Sequence, residues 1–196
     1  GAFSDATTSY FHRSVGGYHG AKLRRYQDLI ERVLQPEQQS FAALANTQGV
    51  DAAWSAMPVH QMLNTQYIIY DPNQAPVPNR APLGNAWFAT GWSMADGADA
   101  EMAALKSLTD PRKAVVPEAH SDALSGVVPG AANAGRATLV EFTPDAQTYA
   151  ISTPAEGLLV FSEIHYHEGW RIPVDGQPAG VLRVKYAFRA VGGAAG

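Results

Sequence analysis

With 196 residues, 46% of them hydrophobic and 16% charged, the chain can close one large or two small apolar cores and is too greasy to be disordered. Its net charge of −4 argues against broad nucleic-acid binding, and no nucleic-acid partner is expected. The absence of cysteine removes thiol nucleophiles, disulfides and cysteine-held zinc.

The pattern along the chain changes from helical to extended. Leu23, Tyr26, Ile30, Val33 and Leu34 recur at helical spacing, so a helix is expected from Tyr18 to Leu34. Pro36 is expected to end it and to open a second helix, Glu37 to Asn46, which Gly49 stops. Residues 51–63 read as a helix broken at Pro58, and Gln66 to Tyr70 as a short strand. Prolines 72, 76, 78 and 82 make residues 71–83 an irregular loop. Ala86 to Met94 reads as one aromatic-rich strand, Ala98 to Leu108 as a helix and Ala114 to Val116 as a short strand.

Residues 117–135, rich in Gly, Pro and Ala, are the expected boundary between a helix-rich part, 1–116, and an antiparallel part, 136–196, unless the two form one continuous domain. In the second part the period becomes two. Strands are expected from Arg136, over Gln147 to Ser152 and over Leu158 to Tyr166. Trp170 to Val174 leads into Asp175-Gly176, a hairpin signal. The clearest alternation sets Leu182, Val184, Tyr186, Phe188 and Ala190 against Arg183, Lys185 and Arg189, as in one half-buried strand. The fold class expected is α+β, with N-terminal helices, a few short strands and a C-terminal antiparallel, sandwich-like sheet.

Three constellations could carry chemistry. The run from Ser9 to Arg25 holds Tyr10, His12, Tyr18, His19, Lys22 and Arg25 around Gly16-Gly17. A glycine turn, a helix start and two cations could hold a sugar phosphate or a polar saccharide. The plainer alternative is a tight turn before a solvated helix face. Glu163, His165 and His167 would share one face of a strand and could offer three ligands to a metal. Alternate residues stand nearly 7 Å apart, however, so a complete site would need another segment. Tyr166 and Trp170 lie where flat rings could stack on sugars, whereas Trp87 and Trp92 sit in core-like surroundings. There is no Gly-x-Ser-x-Gly elbow, phosphate loop or His-Glu-x-x-His, and neither a catalytic residue nor a cofactor is expected.

Two blocks carry a family likeness. "SYFHRSVGGYHGAKLRRYQDLIERVL", with "MLNTQYIIYD" and "PLGNAWFATGW", resembles the extracytoplasmic C-terminal region of the YfhO family of bacterial membrane proteins, Bacteroidetes type. "LLVFSEIHYHEGWRIPVDGQPAGVLRVKYAFRAV" resembles that family's late segment through Ser162, Glu163, Tyr166, Gly169, Trp170, Asp175, Gly176, Arg189, Ala190 and Val191. Glu168 stands where the family has proline. The resemblance implies a polytopic, glycosyltransferase-like parent whose catalytic acids lie near its membrane helices. The present chain would be the outer domain, extracytoplasmic and tethered to the membrane, its partners a glycan or the membrane-embedded part. Both chain ends read as cut, in keeping with that expectation. A structural domain without a small ligand and a metal-dependent or hydrolytic enzyme are the alternatives.

Overall fold

The computed structural model describes residues 3–4, 6–17, 20–71 and 73–194 and has an α+β fold. The chain forms two compact units that meet between Pro82 and Leu83, in the proline-rich stretch, whereas the sequence pointed to 117–135.

The first unit is helical. Its elements are α1 (Thr7–Phe11), α2 (Arg24–Leu29), a π-helical turn (Ile30–Leu34), α3 (Gln35–Gln48), α4 (Val50–Ser55) and α5 (Pro58–Met62). A two-residue antiparallel pair follows, β1 (Tyr67–Ile68) with β2 (Val77–Pro78). Pro36 does not end the first helix, contrary to expectation. The π turn lies directly before it, so the irregular hydrogen bonding falls where proline lacks an N–H, and the backbone stays helical from Arg24 to Gln48. Leu29, Ile30, Val33 and Leu34 of this run are all buried. Gly49, at φ 93°, makes the break before α4, where a side chain would be strained. Phe41, Ala53, Trp54 and Met57 then form a cluster, with Phe41 and Trp54 edge to face at 5.1 Å.

Glu37 fastens α5 to α3. It accepts from the backbone N–H of Val59 at 3.0 Å and of His60 at 3.1 Å, and it lies 2.6 Å from His60 Nδ1. Pro58 opens α5 and has no N–H to offer, so a distant carboxylate satisfies the next two donors in place of a local cap.

The second unit is a sheet with additions. It contains β3 (Ala86–Phe88), β4 (Gly91–Ala95), α6 (Gly97–Lys106), β5 (Lys113–Pro117), β6 (Arg136–Phe142), β7 (Gln147–Ser152), β8 (Gly157–Ile164), β9 (Ile172–Val174), β10 (Gln177–Ala179), β11 (Val181–Val184) and β12 (Phe188–Ala194). The order β11-β12-β8-β3 is antiparallel throughout; β4-β5, β6-β7 and β9-β10 are separate pairs, of which β4-β5 is parallel. β3 joins β8 across residues 117–135, which is why that loop does not divide the unit. Leu159, Phe161, Val191, Ala86 and Phe88 form one core cluster, onto which Ala137, Tyr149 and Ile151 of the β6-β7 hairpin pack, with Ile172 and Val174 of β9.

Two strand readings are corrected. Ala86 to Met94 splits into β3 and β4, because Ala89 N–H turns to Leu158 O and Thr90 N–H to Arg112 O. The alternating run 182–190 is a hairpin and not a single strand. Val184 pairs with Phe188, and Lys185 and Tyr186 turn the corner at φ 47° and 69°. Period-two patterning continues through a tight hairpin, so alternation alone could not reveal the bend. Asp175 and Gly176, at φ 49° and 78°, make the β9-β10 hairpin as expected.

Candidate functional site

The most chemically varied part of the second unit grows from an irregularity in β8. Arg189 pairs with Phe161 but its neighbour Phe188 pairs with Ile164, so Ser162 and Glu163 are extra residues on the β8 side. Such a bulge re-aims side chains. Ser162 is held by its N–H on Asn85 O at 2.9 Å and its hydroxyl on Gly84 O at 2.5 Å. Glu163 is half-buried, and its Oε1 accepts from Gln147 Nε2 at 3.1 Å. Gln147 Oε1 in turn accepts from the Tyr149 hydroxyl at 2.7 Å. Alternation along β7 puts Gln147 and Tyr149 on the same side.

Arg189 lies at the other end of this arrangement. It is 5% exposed, and its Cζ stands 4.2 Å from the centroid of the Trp170 ring. Nη2 donates to Ile164 O at 3.4 Å, while Nε is buried with no hydrogen-bond partner. Trp170 is half-buried in the β8-β9 connection, just after Gly169, whose φ of 82° suits glycine. One indole face therefore rests against a guanidinium and the ring keeps part of its surface in water. Burial first, and the Glu163 carboxylate second, push the Tyr149 phenol up to about 12, against the pull of Arg189, so it remains an O–H donor in neutral water. His165 is held below the usual histidine range by burial first, and then by its neighbours Arg183, Arg189, His167 and His120. An indole, a guanidinium, a carboxylate, a carboxamide and a phenol thus share one side of the sheet. They can stack on an apolar ring face and exchange hydrogen bonds with hydroxyls.

A second polar group lies beneath the β11-β12 turn. Lys185 is fully buried; its Nζ donates to Pro111 O at 2.6 Å and stands 4.7 Å over the Trp87 ring. Burial holds this ammonium well below the usual lysine range, with Asp110 opposing. Glu101 of α6, also buried, accepts from Arg183 Nη1 at 2.5 Å and from Tyr186 N–H at 3.0 Å.

The residues singled out from the sequence fall in different places. Tyr166 and Trp170 belong to the second unit, with Tyr166 exposed; Tyr10, His12, Lys22 and Arg25 belong to the first. Tyr10 and His12 are exposed, Lys22 donates to Gly17 O at 3.2 Å, and Arg25 is half-buried. Tyr18 and His19 lie outside the described residues. An open groove of about 340 Å³ in the first unit is lined by Val50, Asp51, Pro76, Val77, Pro78 and Arg80, and none of the expected ligand residues lines it.

The proposed metal face does not form. β8 ends at Ile164, so His165 and His167 leave the strand and lose the shared face the argument required. Glu163 is engaged with Gln147, and His167 Nε2 lies 3.3 Å from Glu168 at the surface. Among the described residues no three His, Asp or Glu side chains are placed to hold an ion. The sequence does not mark Gln147, Tyr149 or Arg189 as ligand-contacting residues. Arg189 had looked like one more polar residue on an outer face, and only the bulge brings it beside Glu163 and Trp170.

Comparison with family models, with curated proteins and with solved structures finds no match for this chain.

Proposed function

We propose that the chain is a non-catalytic, extracytoplasmic accessory domain of a membrane-tethered, glycosyltransferase-like protein of YfhO type, and that its second unit contacts glycan. The observation that carries the glycan reading is the Trp170 indole, backed by Arg189 at 4.2 Å and left partly open, with the Glu163, Gln147 and Tyr149 hydrogen-bonding chain on the same unit. Aromatic faces beside fixed donors and acceptors suit a sugar's apolar ring face and its hydroxyls. The motif containing Ser162, Glu163, Gly169 and Trp170, which supports the family reading, runs through this same face.

Two experiments test the halves of the proposal separately. Screening the full chain on immobilised bacterial glycans should find ligands that Trp170→Ala loses while its melting temperature stays close to that of the parent. Loss of fold in Trp170→Ala with no ligand in the parent would point instead to a purely structural domain. For the membrane-tethered parent, the adjoining reading frame should encode apolar spans; a frame closed at both ends by this unit alone would refute it.

A further inference from the structure

The first unit carries a feature that the sugar reading does not use. Tyr10 and Phe11 are 81% and 71% exposed, on an α1 helix that buries none of its residues. Their rings meet edge to face at 4.9 Å, forming one apolar knob. Residues 6–25 contain Arg13, Lys22, Arg24 and Arg25 and no Asp or Glu, in a chain whose net charge is −4. Positive charge follows the knob along the sequence while the chain as a whole is acidic, so an extended anionic surface would attract this segment and repel the rest.

We propose that α1 and the basic segment after it dock on the surface of an anionic lipid bilayer, with the Tyr10 and Phe11 rings in the headgroup layer. Aromatic side chains favour that layer, and each nearby Lys or Arg adds about 1 kcal/mol of attraction to anionic lipid. Arg24 keeps its 3.0 Å contact with Asp28, and Lys22 its bond to Gly17 O, without turning the segment acidic. A nucleic-acid strand is the weaker fit, since each ring is set against the other at 79° and they offer no pair of parallel stacking faces. The inference is independent of the sugar-binding reading, because it uses other residues in the other unit.

Co-sedimentation of the full chain with vesicles tests it. Vesicles of phosphatidylcholine mixed with phosphatidylglycerol should carry the protein down at low salt, and pure phosphatidylcholine vesicles should not. Tyr10→Ser with Phe11→Ser should reduce sedimentation to the phosphatidylcholine level with an unchanged circular-dichroism spectrum, which their exposure allows. Arg13→Gln should weaken binding roughly fivefold, the equivalent of one surface cation, and added salt should weaken it further. No sedimentation with the anionic vesicles, equal binding to both vesicle types, or full binding by the double variant would each overturn the proposal. So would retention on single-stranded DNA with none on vesicles.

Discussion

Lys185 shows how much one residue can do. Its N–H donates to Val115 O at 2.6 Å, its Nζ caps Pro111 O and its charge faces the Trp87 ring, all from a backbone at φ 47°. Truncation to alanine opens a cavity beneath the β11-β12 turn and leaves Pro111 O unpaired, so Lys185→Ala should cost about 2–5 kcal/mol in urea unfolding. The pH dependence has a definite sign. The folded ammonium is easier to deprotonate than the unfolded one at 10.5, so the unfolded chain binds the extra proton between the two values. Stability relative to Lys185→Met should therefore rise as pH climbs from the folded pKa to 10.5, and lie flat below it. Denaturation curves at a series of pH values up to 10.5 decide the matter, and a difference that falls with rising pH would contradict the placement of this amine. Nothing in the sequence marked Lys185 as buried, because a lysine at an alternating polar position reads as solvent-facing until the hairpin is known.

Among the elements, α5 depends on a partner far away in sequence. Glu37 serves three donors, and removing it leaves the first turn of α5 and His60 Nδ1 unpaired in the interior, while His60 Nε2 keeps Gln38. Glu37→Ala should cost roughly 3 kcal/mol or more, read as a fall in the urea midpoint with unchanged slope. A similar dependence joins β8 to its neighbours through glycine. A Cβ on Gly157 would come within 2.5 Å of Ala132 Cβ and 2.8 Å of the Phe88 ring, so Gly157→Ala should lose about 1–3 kcal/mol through overpacking. A melting temperature equal to the parent's would show that the Phe88 ring gives way. α3, α6, β7 and the β9-β10 turn could be read from spacing and turn chemistry, whereas α1 had no such signal and α2 starts at Arg24 and not at Tyr18. The splits at Ala89–Thr90 and at Lys185–Tyr186, and the survival of helix through Pro36, could not. Each depends on a tertiary hydrogen bond, a left-handed turn or a π turn that composition does not announce.

At the scale of the whole molecule, the chain is two units, each with a core of its own. Because β3 completes the four-stranded sheet, residues 83–196 expressed alone should fold with a strand-rich circular-dichroism spectrum and one cooperative transition, whereas 117–196, lacking β3 to β5, should not. The face around Trp170 and Arg189 was half legible. Trp170, Tyr166 and Glu163 stood out as residue types, but Arg189, Gln147 and Tyr149 join them only through the bulge and the packing of one hairpin on the sheet. No helix among the described residues is long and apolar enough to cross a membrane.

The most direct test is isothermal titration of the full chain with a glycan selected from the screen, alongside Trp170→Ala and Arg189→Met. Saturable heat in the parent that both variants lose, with folding intact, is the result expected. Saturable binding that survives both substitutions would place the sugar elsewhere and contradict the site.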